Sequence, residues 1–407
     1  MKPIYTNDRG DLLSDSRHRA AALLGSEICA AENYIPMPKG ATFAAMPGRV
    51  PLVLDKYGNV TRGCGTAVAV LLPQGFTRTM VPATETVGAP EVLPLLGYTA
   101  AAMKDGRVYV AARQTDEHRI WHPDHYNTPD LPDRIRRVKK ILKGNRIVEQ
   151  LGHCSLDYGC FTAQNLFYRR WEGGLPVSRT CNARCIGCIS EQESECCPSA
   201  QGRLRFSPTV REIAEVGAFH LGGKRKDNII SFGQGCEGEP SLEADKIAKA
   251  IGVIRKNTEQ GTINMNTNAG HTECIRKIVD AGVDTLRVSI FSAIPEHYDS
   301  YYRPKNYSLA DVEASVKYAV DNGVYVSLNL LAFPGFTDRE EEINALCDLI
   351  QRTGLQKVQI RNLNIDCDWF YEQCGLKREK SLGMDALIGE FHRCGVAVGN
   401  YSRPKEK

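Results

Sequence analysis

Three cysteines in one short run, Thr180-Cys181-Asn182-Ala183-Arg184-Cys185-Ile186-Gly187-Cys188, carry the spacing C-x3-C-x2-C. Thiolates are soft ligands suited to zinc or iron. A tight loop with this spacing aims Cys181, Cys185 and Cys188 at three irons of one cubane [4Fe–4S] cluster and leaves the fourth iron without a protein ligand. An open position on a metal is where a cofactor or substrate binds it directly. A structural zinc site takes four closed ligands, often as C-x2-C pairs, and no second pair follows at ordinary zinc spacing. The adjacent Cys196-Cys197 offers a fourth sulfur, so structural zinc stays open as the alternative.

Fifteen cysteines among 407 residues is the compositional outlier. A disulfide scaffold belongs to small exported domains, whereas a chain of this size with no visible export signal in Met1–Asp15 fits reduced thiols, some of them metal ligands. A cytoplasmic location is the expectation. Cys29, Cys64, Cys236, Cys274, Cys347 and Cys394 stand singly and read as small buried hydrophobes. With 42% hydrophobic and 24% charged residues the chain has the makeup of a globular protein of one or two domains, and no run reaches the ~18–20 apolar residues of a membrane span. The net charge of +3 is too small to argue for nucleic acid.

The elements that must position the cysteines read as strand–helix repeats from about Gly174 to Asn364. Leu175–Thr180 is an apolar strand feeding the cysteine run, and Ser207-Pro208 opens a helix. Asn228–Phe232, Thr262–Thr267, Thr285–Phe291, Val324–Ala332 and Lys357–Asn364 are the further strands. Helices between them carry Ile247, Ile251 and Ile254, then Ile275, Ile278 and Val279, at helical spacing. Ser308-x-x-Asp311 is a capping box, and Asp338–Thr353 ends before Gly354. Six such units imply a parallel sheet, either a partial barrel or an open doubly wound sheet. The first ~165 residues differ, with short alternating runs such as Val50–Leu54, Thr66–Leu72 and Val108–Ala112 joined by turns, then a basic helix at Asp133–Leu142 and a long helical lead-in at Val148–Arg170.

C-x3-C-x2-C at the end of the first strand of a β-α series resembles the radical S-adenosylmethionine superfamily. The resemblance covers about Gly174–Asn364, roughly half the chain, and implies an α/β fold, a partial (β/α)6 TIM-like barrel, here with an N-terminal mixed α+β accessory domain. The expected division is residues 1–165 for the accessory domain, where substrate recognition is expected, 166–370 for the barrel and 371–407 for a C-terminal extension. Gly238-Glu239-Pro240 is similar to the family's Gly-Gly-Glu motif, which holds the methionine amino group, with Glu237 replacing the first glycine. Thr267-Asn268 is similar to a Thr-Asn-Gly segment, with Ala269 in place of glycine. Arg287 and Ser289 lie in the stretch that reaches carboxylate and ribose, and Asn329 and Leu363 would border the adenine. Many relatives have an aromatic residue before the third cysteine, where this chain has Gly187. Taken singly, each of these stretches also reads as a plain turn or strand end. They gain weight because all end successive strands, where barrels and open sheets gather their sites.

The resemblance implies a [4Fe–4S] cluster and S-adenosylmethionine as cofactors. One electron from the cluster splits the S–C5′ bond, giving methionine and a 5′-deoxyadenosyl radical that abstracts hydrogen from a peptide, protein or small metabolite. A flavodoxin or ferredoxin is the implied electron donor. No side chain is assigned a catalytic role. RNA modification is the alternative within the family, and a non-enzymatic zinc or Fe–S module the alternative outside it. Cys154, Cys160, Cys196, Cys197, Cys367 and Cys374 match no auxiliary-cluster spacing, though Cys367 or Cys374 could act as a thiol in the reaction. His118, His122 and His125 read as a surface loop because Pro123 breaks the helix that would align them. Arg134, Arg136, Arg137, Lys139 and Lys140 read as a solvated face, Phe167–Trp171 as core packing, and Tyr301–Lys305 as a wall of the substrate entrance.

Overall fold

The computed structural model describes residues 1–117, 119–192 and 197–404. His118 and Cys196 therefore lie outside the described residues. Seven parallel strands form one sheet in chain order: Glu172–Gly174, Ile229–Phe232, Thr262–Thr267, Thr285–Ile290, Tyr325–Ala332, Lys357–Asn362 and Ala397–Gly399. Alternate residues explain the layering. Ile230, Phe232, Met265, Val288, Leu328 and Ile360 face the helices and are fully buried in one large core. The other set, Ser231, Asn264, Arg287, Ser327, Asn329, Gln359 and Arg361, faces inward and makes the lumen polar.

The sheet does not close on itself by strand pairing. Instead Tyr401 and Ser402, just past the last strand, cross the gap, where the Ser402 hydroxyl donates to Glu172 Oε2 at 2.5 Å and the Lys357 ammonium donates to the Tyr401 carbonyl at 2.6 Å. The architecture is thus the α/β partial barrel expected, with a seventh strand that the sequence pattern did not reveal because Ala397–Gly399 is too short to show a period.

Three other expectations change. Leu175–Thr180 is not a ladder strand. Pairing is made upstream by Glu172–Gly174, and the later residues leave the sheet to be held by loop contacts. The lead-in at 148–170 is two helices, Arg146–Asp157 and Phe161–Tyr168, broken where Gly159 takes φ 58°. The helix expected from Ser207-Pro208 starts at Val210, because Thr209 forms the capping box with Glu212. The Ser308–Asp311 box is present as read.

The N-terminal part is β-rich: antiparallel sheets of eight and six strands meet over small residues such as Ala20, Ala22, Ala100 and Ala102. The helices Leu131–Ile141, Arg146–Asp157 and Phe161–Tyr168 bury Ile135, Leu151, Leu166 and Phe167 in the barrel's own core. Buried charges join the β-rich part to the barrel. Arg49 pairs with Asp366 at 2.5 Å, and the Arg78 guanidinium donates to the Leu363 carbonyl at 2.5 Å.

Candidate functional site

The cysteine loop is held from three sides by backbone. Ile186 N–H donates to the Tyr301 carbonyl at 3.1 Å and Arg184 N–H to that of Tyr302 at 3.0 Å, tying the loop to the end of the helix Pro295–Tyr302. Lys305 N–H donates to the Asn182 carbonyl at 2.8 Å. Gly238 N–H and Glu239 N–H donate to the Ser178 and Thr180 carbonyls, each at 2.9 Å. Gly238 has no room for a side chain, since a Cβ there would overlap the Thr180 carbonyl. The glycine of the turn after the second strand is needed for this close approach.

Gly187 has a similar cause. A Cβ on it would come within 2.5 Å of the Tyr301 hydroxyl and 3.6 Å of Leu363. Tyr301, fully buried, occupies the space that a side chain at position 187 would enter. Tyr301 therefore backs the loop, a role the sequence did not disclose beyond its position after the fourth strand. Leu363, at the end of the sixth strand, reaches the same loop.

Two glutamates knit the loops together. The Glu239 carboxylate accepts from Thr267 Oγ1 at 2.5 Å, Asn268 N–H at 2.8 Å and Ser241 N–H at 2.9 Å. Burial pushes its pKa up against these three donors. Pro240, buried, opens the short turn that follows. Asn268 Nδ2 donates to Asn182 Oδ1 at 2.6 Å, which joins the third strand's end to the cysteine loop. Ala269 sits at φ 54°, a left-handed conformation that glycine adopts without strain. Glu237 was not singled out as a site residue, yet its carboxylate accepts four backbone N–H groups: Val177 at 2.7 Å, Ser178 at 2.9 Å, Gly233 at 2.6 Å and Gln234 at 3.0 Å. It replaces a glycine with a clamp between the first and second strand ends.

The remaining expected contacts are deeper in the barrel. Arg287 is in a buried ion pair with Glu172, so its charge is committed inside the lumen. Ser289 and Asn329 lie side by side in register on the fourth and fifth strands, both half-buried and inward-facing. Asn329 Oδ1 accepts from Arg361 Nε at 3.2 Å.

Cys181, Cys185 and Cys188 all line one open cavity of about 560 Å³. Arg179, Arg184, Arg203, Arg303, Lys305, Trp369 and Gln373 complete much of its wall, and the one carboxylate there, Glu191, pairs with Arg203. A zinc ion with Zn–S of about 2.3 Å would draw its sulfurs to within roughly 4 Å of one another. Among the described residues, the only cluster of three or more His, Cys, Asp or Glu ligand atoms within 4.8 Å is His297, Glu341 and Glu342. The three cysteine sulfurs do not all lie within 4.8 Å of one another, so they are not drawn together as a closed zinc site would draw them. Burial, then the neighbouring sulfurs, push the Cys185 thiol well up, and burial raises Cys181. A metal centre bound by these thiols would have to displace their protons. Asn182 Nδ2 is buried inside the loop with no partner among the described residues, a spare donor for a bound group.

Other features fall outside this constellation. Cys197 is buried and does not line the cavity. Cys367 Sγ accepts from Arg378 at 3.2 Å. His122 caps a single turn, Pro123–His125, in agreement with a loop. In the basic helix Arg134 pairs with Asp130 and Arg136 with Asp133, while Lys139 pairs with Glu149, so much of its charge is answered locally.

Residues 175–347 match the family model described as the Radical SAM superfamily. A curated relative, a probable GTP 3′,8-cyclase of Methanococcus maripaludis, is 25% identical over 215 residues. That match spans 51% of this chain and 66% of the relative's length. Among solved structures, the radical SAM methyltransferase from Sphaerobacter thermophilus has a TM-score of 0.40 at 15% identity, covering 56% of this chain and 64% of that one. The FeFe-hydrogenase maturase HydG from Carboxydothermus hydrogenoformans has a TM-score of 0.36 at 15% identity, covering 66% and 75%. No helix among the described residues is long and apolar enough to cross a membrane.

Proposed function

Because residues 175–347 belong to the radical SAM superfamily, we propose that this enzyme holds a [4Fe–4S] cluster through Cys181, Cys185 and Cys188 and uses it on S-adenosylmethionine to modify a peptide, protein or small metabolite. Such a cluster, when bound, supplies one electron that splits the S–C5′ bond to methionine and a 5′-deoxyadenosyl radical, the species that takes a hydrogen atom from substrate.

The observation that carries this reading is that three sulfurs line one 560 Å³ cavity with no fourth ligand of their own kind on its wall among the described residues. The chain's own part is positioning. Backbone from Tyr301, Tyr302, Gly238 and Glu239 fixes the loop, and Asn182 Nδ2, without a partner among the described residues, offers a hydrogen bond to the cofactor. Gly238, Pro240, Thr267, Asn268, Ser289, Asn329 and Leu363 are the cofactor contacts in this reading. Glu239 acts by holding Thr267 and Asn268 in place, and Arg287 by bracing the lumen. The β-rich N-terminal part, docked through Arg49 and Arg78, contributes to substrate recognition, and a flavodoxin or ferredoxin donates the electron.

Anaerobic reconstitution with iron and sulfide, followed by a strong reductant and S-adenosylmethionine, is the test. Formation of 5′-deoxyadenosine by the wild type, and loss of both the ~400 nm absorbance and that product in Cys181→Ala, Cys185→Ala and Cys188→Ala, is expected. Unchanged iron content in the three variants, or one zinc and no sulfide in the wild type, would overturn it.

A further inference from the structure

We infer that Arg361 is the docking point for an oxyanion, a carboxylate or a phosphate, carried by the substrate. The inference rests on the barrel being the catalytic unit proposed above and names the chemistry of what enters it.

The argument begins with the charges of the lumen. Arg287, Lys357 and Arg361 all stand at inward positions of the fourth and sixth strands. Arg287 is paired with Glu172. The Lys357 ammonium donates to the Tyr401 carbonyl, and Asp116 lies near enough to favour its charge. Arg361 has no carboxylate within ion-pair distance among the described residues. Its guanidinium is held only by neutral amide oxygens: Asn329 Oδ1 at 3.2 Å, Gln359 Oε1 at 3.2 Å and Gln74 Oε1 at 3.5 Å. Burial, then the nearby Arg287 charge, lower its pKa to about 10, against the weaker opposing influence of the Glu172 and Asp116 carboxylates, neither of which is in ion-pair contact with it.

Three amides arranged this way orient a guanidinium without neutralising it. An arginine has five N–H donors, so the three bonds leave part of the fork unused. A half-buried charge with no carboxylate beside it is desolvated without being neutralised, and an arriving oxyanion would relieve that cost. The planar fork matches the two oxygens of a carboxylate or phosphate.

Space is available beside it. Ser289, Asn329 and Arg361 are half-buried although they point into the barrel, whereas the outward neighbours Val288, Leu328 and Ile360 are wholly buried. The lumen is therefore open at the level of Arg361. Gln74 comes from the β-rich N-terminal part, which gives that part a direct hold on the orientation of the guanidinium.

Arg361 borders the proposed adenine contacts Asn329 and Leu363 but stands away from the cysteine loop. The cysteine loop is strapped to the ends of the second and third strands through Glu239 and Asn268, and Arg361 is on the sixth strand, with two strands of the sheet between.

The test is thermal unfolding of the reconstituted protein with about 10 mM inorganic phosphate, glutarate or chloride, for the wild type, Arg361→Gln and Arg361→Lys. We expect phosphate or glutarate, and not chloride, to raise the wild-type Tm by about 2 °C or more. The response should vanish in Arg361→Gln and survive in part in Arg361→Lys, which keeps the charge if the glutamine variant unfolds. Whichever anion acts names the source, phosphate ester or carboxylic acid. An equal response in Arg361→Gln, or none in the wild type, would overturn the inference. So would a tenfold weaker S-adenosylmethionine affinity in Arg361→Gln that Asn329→Ala does not reproduce, because the guanidinium would then serve the cofactor's carboxylate. Formation of 5′-deoxyadenosine by the wild type without added substrate is read separately, so failure of the enzymatic reading is told apart from failure of this one.

Discussion

Arg287 on the fourth barrel strand reaches across the lumen to the carboxylate of Glu172 at the start of the first, and the two form a fully enclosed ion pair. Ser231 at 2.7 Å and Ser402 at 2.5 Å donate to the same carboxylate. Burial opposes the charge on Glu172, but Arg287 and the two hydroxyls together hold it below the usual carboxylate range. The pair thus ties together strands that no ladder joins.

Removing one partner leaves the other charged and buried. Arg287→Met should cost about 3–5 kcal/mol of unfolding free energy. The double variant Arg287→Met/Glu172→Gln should recover a large part of that, because no charge is stranded. Denaturant titration measures both. If Arg287→Met alone were neutral in stability but weakened S-adenosylmethionine binding, Arg287 would be a cofactor ligand, as its place in the sequence implied.

The difference between those two roles shows what the sequence could reveal. The positions of Arg287, Ser289 and Asn329 on successive strands follow from period and order, and the fold confirms that order. What a side chain touches across the lumen depends on strands more than a hundred residues apart, and no local pattern encodes it. The cysteine run could be read as a candidate metal site because its three thiols are close in the chain. Its supports, Tyr301 and Glu237, could not be read, since a tyrosine after a strand and a glutamate in a turn have many ordinary explanations. The β-rich N-terminal part was read only as short strands, because most of its pairing is set by partners distant in sequence.

Gly238 tests the strap on the cysteine loop. In Gly238→Ala the new methyl group would overlap the Thr180 carbonyl, and Cys181 is the next residue. Overpacking of this kind costs typically about 1–3 kcal/mol. The larger expected effect is on metal. Iron per chain after reconstitution should fall several-fold while circular dichroism stays close to wild type. Full iron loading in Gly238→Ala would mean that the loop keeps its geometry without this close approach.

His220 sets an acid limit on stability. Its ring is completely buried on the helix Val210–Leu221, with Nε2 2.9 Å from the Trp171 carbonyl, and burial lowers its pKa to about 4. An unfolded histidine titrates near 6.5, so the native state binds fewer protons than the unfolded state between these values. The stability this neutral ring contributes is complete above pH 6.5 and is lost as pH falls through 4, a change of roughly 3 kcal/mol. Unfolding free energies measured from pH 7.5 to 4 should show this slope, and His220→Gln should flatten it. A wild-type profile level between pH 6.5 and 4.5 would contradict the assignment.

Gly187 and Tyr301 should behave as one unit. An aromatic side chain at position 187 needs the volume that the Tyr301 ring occupies, with the Tyr301 hydroxyl 2.5 Å from where a Cβ would be. Gly187→Tyr alone should displace the loop between Cys185 and Cys188 and lower iron loading several-fold. Tyr301→Ala alone opens a cavity in a fully buried site and should destabilise by about 3–5 kcal/mol. Combined, the two changes move the ring from one backbone to the other, so iron loading should return toward the wild-type value and the stability loss should be smaller than the sum. Measuring iron content and denaturation midpoints for the four proteins gives the coupling directly. Strict additivity would show that the missing aromatic before Cys188 and the tyrosine behind it are unrelated.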